Sequence, residues 1–481
     1  MRTTSTARRL DRRVGGPVGV HARPHGIWFD PGPWVMLAAT TTWLLTWVRQ
    51  VPCRQTEAGH PVNAFMRLCY SDIPVLYQSA GMSSGQGVFG GLAFEYPPVV
   101  GAVVEVTRAI GRLLGAQVGP DVTDQQVVDG ATIFFGVNAV VLFGFFLALV
   151  AAHLLLGGRA LDGGLARRSR SWQAVHVAAA PVVVAAGLIN WDLIPAALTS
   201  LSVLLWARGR PIAAGLLTGV AISAGLYPVF LVFVLFLLCL RAGRLAQWGR
   251  FALATLASWL VISVPVIVLA PRTWSAYWDY HLQRGADLGS VWFVLDAAGV
   301  GLQHVGILSG LALAILLGLV ASLVIQAPRR PRLAQVAALV LIAILVTNRA
   351  YSPQYVLWLL PFVVLARPVT SDWAIWTLSE VLYWWAVWGH LEGALAPGEG
   401  GVDPLYWAAI VQRVGVQLWV AMQIVHDIRH PWDDPVRTGF TDDPIGGVLD
   451  HAPDARWLGE PRQRVEAGLD LVDDSLLEEV G

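Results

Sequence analysis

Apolar residues in this chain come in long unbroken runs, and the polar residues gather in the gaps between them. A run needs roughly 20 residues to cross about 30 Å of hydrocarbon, and fewer where a helix ends against a cavity. Such runs are read at 33–51, 129–156, 173–189, 193–207, 211–225, 228–241, 249–270, 304–325, 333–347, 355–366, 371–390 and 404–425. The pattern predicts an all-α integral membrane bundle of about twelve transmembrane helices, several of them short. The first run is long and lacks a small-residue cleavage site, so it is expected to anchor the chain and not to be removed as a signal peptide.

Direction follows from the basic residues. Arg8, Arg9, Arg12 and Arg13 precede the first run. Further clusters are Arg159, Arg167, Arg168 and Arg170, then Arg208 and Arg210, then Arg241, Arg244 and Arg250, then Arg329, Arg330 and Arg332, and finally Arg367. Arginine resists translocation and marks cytoplasmic loops. All these loops fall on one side if the segment 97–116 does not cross. Its polar residues Gly101, Glu105, Arg108 and Arg112 recur every three or four positions, along one helical face. Crossing would place three charges in lipid, at about 2.5–3.5 kcal/mol for each near the centre. An amphipathic helix on the outer surface, with its polar face wet, is expected instead.

Three regions result: a cytoplasmic segment 1–32, a polytopic domain 33–426 with a first outer loop at about 52–128, and an acidic cytoplasmic tail 427–481 expected to be weakly ordered. A loop as long as 52–128 usually carries function. A second outer segment covers about 271–303. The localisation expected is the cell membrane, multi-pass, with the functional face outside.

Composition agrees. Of 481 residues, 55% are hydrophobic and 14% charged, against roughly a quarter charged in soluble proteins, which excludes a soluble enzyme. Thirty-three basic residues, all arginine, balance 33 acidic ones, leaving no basic surplus for a nucleic-acid partner. Cys53 and Cys69 share the outer loop, where a disulfide can persist; two free thiols are the alternative. Cys239 reads as an apolar filler. The 11 His and 3 Cys show no zinc-like spacing, so no metal and no cofactor are expected. Gly85-x-Gly87-x-x-Gly90 spells a dinucleotide fingerprint but lacks the strand and helix that would give it meaning, and reads as a loop.

The remaining polar residues of interest, Asp72, Glu95, Asp192, His281, Arg284, Arg349, Tyr351 and Gln354, all fall at outer ends of spans. A proton-coupled transporter would place ionisable groups mid-span. Gathered at one interface, they suggest a cavity open to the outside and to the outer leaflet. The strings CYSDIPVLY (69–77), FEYPPVVG (94–101), NWDLIPAAL (190–198), GLYP (225–228), YHLQRG (280–285) with SVW (290–292), and NRAYSPQYVLWLLP (348–361) resemble glycosyltransferase family 87 of the GT-C superfamily. This group includes actinobacterial polyprenol-phosphate-mannose-dependent α-mannosyltransferases, and the resemblance covers nearly all of 33–425 in order.

The resemblance implies a GT-C-like bundle that transfers a sugar, mannose before a pentose, from a polyprenyl phosphate to a hydroxyl of a lipid-linked glycan. Asp72 matches the family's general base, and a carboxylate suits that task by taking the acceptor's proton. On the residues alone, Asp72 before Ile73-Pro74 also reads as an ordinary helix cap. His281 and Arg284 would share a helical face toward the donor phosphate, with Arg349, Tyr351 and Gln354. Tyr70, Glu95 and Tyr96 would meet the acceptor. Relatives often carry Lys where this chain has Gly225, and Asp192 reads as a cap of the following span. A transporter or flippase of a lipid-linked saccharide is the competing class.

Overall fold

The computed structural model describes residues 30–79, 81–90, 92, 94–157, 171–395, 403–437 and 442–458. The N-terminal arginines, the cluster from Arg159 to Arg170, and the acidic end beyond 458 lie outside the described residues. Helices account for the described chain, and no strand forms among the described residues beyond an isolated bridge between Glu57 and His60.

The first span is α1 (Pro31–Arg49). The outer loop contributes α2 (Asp72–Ser79) and α3 (Pro98–Leu113) before the long α4 (Asp124–Gly157). Two short pieces, α5 (Val175–Ala178) and α6 (Pro181–Ala186), are followed by α7 (Leu193–Ala207), α8 (Pro211–Ile222), α9 (Phe230–Arg241) and α10 (Leu245–Leu269). A second excursion carries α11 (Pro271–Gln283) and α12 (Val291–Ala297). The bundle closes with α13 (Val305–Gln326), α14 (Leu333–Thr347), α15 (Val356–Ala366), α16 (Thr370–Leu391) and α17 (Pro404–Arg429). Proline in the first turn starts many of these helices, because its missing N–H would be unsatisfied there anyway.

By length and composition, four helices among the described residues can cross a membrane: α4, α10, α13 and α17. The shorter apolar helices α7, α8, α14 and α15 are buried among the others. On α13, Ile307, Leu311, Ile315 and Leu319 recur every four residues on an exposed face, which only a lipid solvent makes favourable. An apolar cleft of about 500 Å³ opens between α13, α14 and α17, lined by Leu319, Leu323, Ile342, Val346, Leu418 and Val425. It lies away from the outer-loop carboxylates.

Two expectations need correction. The polar face of α3 is wet only at Arg112. Arg108 is buried, pairs with Glu105 at 2.9 Å and donates to the Gln86 carbonyl, while Val106, Ile110 and Leu113 face outward. A buried charge needs partners, and the 82–90 loop supplies them. The tail is also not weakly ordered as far as residue 458. Arg332 donates to Asp434 at 2.7 and 2.9 Å, Arg330 to Asp442 at 2.8 Å, and Arg241 to Asp454 at 2.7 Å. The tail's acids thus neutralise the arginines that mark one end of the bundle. Gly447 (φ +63°) sits where an added Cβ would meet the Trp206 carbonyl oxygen at 2.1 Å, so only glycine lets the tail approach α7. The Cys53 and Cys69 sulfurs are joined in a disulfide.

Replacing Asp434 by Ala strands a buried guanidinium and is expected to cost about 3–5 kcal/mol, because an uncompensated buried charge is worse than none. The check is a lower thermal midpoint in detergent, with faster proteolysis after residue 430. Replacing both partners (Arg332→Met with Asp434→Leu) should recover most of the loss.

Candidate active site

Two neighbouring residues fix the start of α2. The Asp72 N–H donates to the Ile189 carbonyl at 2.7 Å, and the Ser71 hydroxyl donates to the same oxygen at 3.2 Å. Ser71 Oγ also accepts from the Ile73 N–H at 3.3 Å. The helix is therefore capped by Ser71, not by Asp72 as the residue pattern alone allowed. The Asp72 side chain is left to face the loop 94–97, where it accepts from the Tyr96 hydroxyl at 3.0 Å. The Tyr70 phenol stands beside the same carboxylate. Burial pushes the Asp72 carboxyl above the usual range, and the two phenols partly offset this by stabilising its charge.

Tyr96 is itself held from behind. Its ring meets Trp191 edge-on at 5.0 Å and Phe94 at 5.4 Å. The Trp191 indole donates at 2.8 Å to Asn138, which is fully buried in α4. Tyr70 stacks on Phe65 and Trp388. Four aromatic contacts around two phenols fix the donors before any ligand arrives, which is what a positioned carboxylate requires.

A second carboxylate joins the first. Asp192 begins α7 but makes no side-chain cap bond, so the cap expected of it is absent. Its Oδ2 is buried with no hydrogen-bond partner. Burial, offset by Asn190 and the nearby Trp358 indole and reinforced by the charge of Asp72, pushes its carboxyl up to about 7. A carboxylate oxygen buried without a partner is costly in a fold and is a mark of a site. Glu95 is exposed at the rim, raised by burial and by Asp72 and lowered by Arg284.

The second outer segment supplies the cation. Helix α11 ends at Gln283, and Arg284 follows in extended conformation, so His281 and Arg284 do not share the helical turn that their spacing suggested. Arg284 Nε is held by Asp287 at 2.6 Å, and its guanidinium lies 5.2 Å from the Tyr280 ring centroid. Its electrostatic neighbours Glu95, Tyr280 and Tyr355 place it toward the carboxylate rim. The His281 ring packs against Tyr277 and Tyr280. Burial, Arg284 and Arg349 push it down to about 4, so it is neutral and offers an N–H but no charge.

Other expected phosphate ligands are engaged elsewhere. Arg349 donates to the carbonyls of His281, Leu282 and Arg284, closing the end of α11; it positions Arg284. Tyr351 is buried and accepts from Gln417 through its hydroxyl, while its carbonyl accepts from Arg413 at 2.7 Å. Arg413 also pairs with Glu380 at 2.8 Å inside the bundle. Tyr351 therefore belongs to a buried network and not to a ligand surface. Gln354 is buried at the next turn, Pro353–Tyr355. Glu380 and Arg413, deep in α16 and α17, escaped the sequence reading. At Gly225 an added Cβ would stand 3.0 Å from Pro195 Cγ, so a lysine there would require α7 to give way.

No protein-family model matches the chain, and no curated protein matches it. Among solved structures it is similar to ArnT from Cupriavidus metallidurans bound to undecaprenyl phosphate, with 16% identity over 83% of this chain and 78% of that one at a TM-score of 0.41. It is also similar to an oligosaccharyltransferase from Archaeoglobus fulgidus in the apo form, with 11% identity over 82% of this chain and 56% of that one at a TM-score of 0.36. Likeness this distant assigns no family.

Asp192→Asn should raise the thermal midpoint more at pH 8 than at pH 5. The folded carboxyl titrates near 7. The unfolded one titrates near 3.9. The cost of holding the charge therefore grows with pH from about 4 and is complete above 7. An equal shift at both pH values would show that Asp192 is solvated.

Proposed function

We propose that the protein is an integral-membrane glycosyltransferase of the GT-C type, which moves mannose from a polyprenyl-phosphate donor to a hydroxyl of a lipid-linked glycan at the outer face of the cell membrane. The observation that carries this reading is the Asp72 carboxylate, pinned at the end of an apolar bundle by two phenols and facing a rim that holds Arg284.

The chemistry follows from those groups. The acceptor oxygen attacks the anomeric carbon while its proton passes to Asp72. The bond from that carbon to the phosphate oxygen breaks, and its electron pair leaves with the prenyl phosphate. A single displacement inverts the sugar carbon. The raised affinity of Asp72 for protons makes it a stronger base than a solvated aspartate. Arg284, with Nε committed to Asp287, keeps its terminal nitrogens for the phosphate charge that develops on the leaving group. The neutral His281 adds a donor. Asp192 offers an acceptor for sugar hydroxyls, and Tyr70, Glu95 and Tyr96 face the acceptor. The scheme balances without a cofactor.

The alternative, a transporter or flippase of a lipid-linked saccharide, gains one observation, the ionisable pair Glu380 and Arg413 deep in the spans. Both members are engaged with each other, with Gln417 and with the Tyr351 carbonyl, an arrangement that holds helices together and opens no relay path.

A transfer assay with radiolabelled polyprenyl-phosphate mannose and a lipid-linked acceptor tests the reading. Asp72→Asn, at equal protein level, should lower transfer by about 10²–10⁴-fold; unchanged transfer would falsify the assignment of the base, and movement of the saccharide without transfer would favour the transporter. Arg284→Ala should raise KM for the donor by about 10–100-fold, the equivalent of a charged hydrogen bond worth roughly 1.5–3 kcal/mol.

Tyr96→Phe gives a directional check. The phenol stabilises the ionised carboxylate, so its removal raises the Asp72 pKa further. Transfer needs the ionised form and is lost as pH falls through that pKa. The acidic limb of the pH–rate profile should therefore move to higher pH, and a shift to lower pH would show that Tyr96 does not serve Asp72.

A further inference from the structure

At the arginine-rich end, far from the carboxylate rim, three side chains converge where the last helix gives way to the tail. His426 lies in the last turn of α17, and His430 is the residue just past its end. Their ring centroids are 4.5 Å apart. The chain then turns through Pro431–Asp433, closed by the Asp433 N–H donating to the His430 carbonyl at 3.0 Å, and this turn brings Asp433 back toward the pair. One ligand atom from each of the three residues lies within 4.8 Å of the other two.

We propose that His426, His430 and Asp433 form a binding site for a divalent transition-metal ion of the zinc type, which ties the end of α17 to the docked tail.

Three features carry this. Two imidazoles and a carboxylate are the ligand set that zinc takes from proteins when it keeps a fourth position for water. The tautomer of His430 is also fixed for the task. Its Nδ1 stands 3.2 Å from the His426 carbonyl oxygen, which can only accept, so Nδ1 carries the hydrogen and Nε2 presents a lone pair. Finally, the three groups do not satisfy one another. His426 Nε2 and Asp433 Oδ2 are 4.0 Å apart, too far for a hydrogen bond, and an ion bound by both would fill that gap. Sequence spacing does not display this grouping, because the third residue comes from a turn beyond the helix.

The site has a mechanical consequence. Asp433 is followed by Asp434, whose carboxylate is buried against Arg332. An ion on Asp433 pins the turn that delivers Asp434, so metal binding and docking of residues 434–437 and 442–458 are linked.

The test uses the full chain, made without a polyhistidine tag, stripped with chelator and titrated with zinc chloride by calorimetry in detergent. One equivalent should bind, and zinc should slow proteolysis of the tail. His426→Ala and His430→Ala should each weaken binding by at least tenfold, and Asp433→Asn should weaken it while leaving the elution profile of the protein unchanged. His451→Ala, an exposed histidine outside the cluster, should bind as the parent does. Affinity should fall in acid, since a ligating imidazole must be neutral. Binding that is absent from the parent, or that persists unchanged in the His426→Ala/His430→Ala double variant, would overturn the proposal.

Discussion

A single backbone carbonyl, that of Ile189, organises the candidate site. It accepts from both the Ser71 hydroxyl and the Asp72 N–H, tying the first outer loop to the turn between α6 and α7. Each such bond contributes only about 0.5–1.5 kcal/mol net, but a buried group left without its partner costs more. What the pair of bonds fixes matters more than its energy. Ile189, Trp191 and Asp192 lie within four residues, so pinning Asp72 to the first also brings it to the ring that backs Tyr96 and within electrostatic reach of the second carboxylate. Asn138 anchors Trp191 from α4, one of the long apolar helices, so the register of the site is inherited from the bundle.

The two ends of the bundle are satisfied differently. At the tail end, arginines 241, 330 and 332 are matched by Asp454, Asp442 and Asp434, and the backbone N–H of Leu333 donates to Asp443. At the other end, Asp192 Oδ2 has no partner, Asp72 is pushed toward protonation, and His281 is held neutral against two rings. Folding alone favours the first arrangement and penalises the second. Groups left unsatisfied inside an otherwise well-packed protein are where binding or chemistry is expected to supply the missing partner.

Much of the architecture was legible because its cause is local. Apolar runs name the spans, since lipid demands them wherever a helix is exposed, and the helices α1 and α4 to α17 begin and end close to the runs read from sequence, with α11 and α12 in the outer excursion. Asp72 and Arg284 stood out as polar groups at span ends, and Tyr96 came only from the family resemblance. What stayed hidden depends on distance in sequence. Nothing in the string NWDLIP distinguishes a capping aspartate from one whose side chain turns away, and the difference appears only when α7 starts without a cap bond. Tyr351 and Arg349 looked available because their partners, Gln417 and the carbonyls at the end of α11, are remote along the chain. The docked tail was missed for the same reason: acidic and proline-rich residues read as disorder unless the arginines that neutralise them are already in place.

Helix lengths near the carboxylates are uneven. Helix α7 has 15 residues and α8 has 12, which at 1.5 Å each span about 22 and 18 Å, less than the roughly 30 Å of hydrocarbon. Helix α4, with 34 residues, is far longer than a crossing requires. Asp192 opens α7, and the Ser223 carbonyl just beyond α8 receives the Val99 N–H of the first outer loop at 2.8 Å. The start of α7 and the end of α8 thus lie at the end of the bundle that the loop before α4 covers. Asp72 is desolvated by the residues around it, which is the cause of its raised proton affinity. On the proposed reading, a carboxylate so covered suits a donor whose prenyl chain stays among lipid tails while its phosphate and sugar turn sideways toward it. A water-soluble sugar nucleotide would have to leave solution to reach it. On the proposed reading, the covering of Asp72 thus bears both on the strength of the base and on the kind of carrier that can deliver a sugar to it.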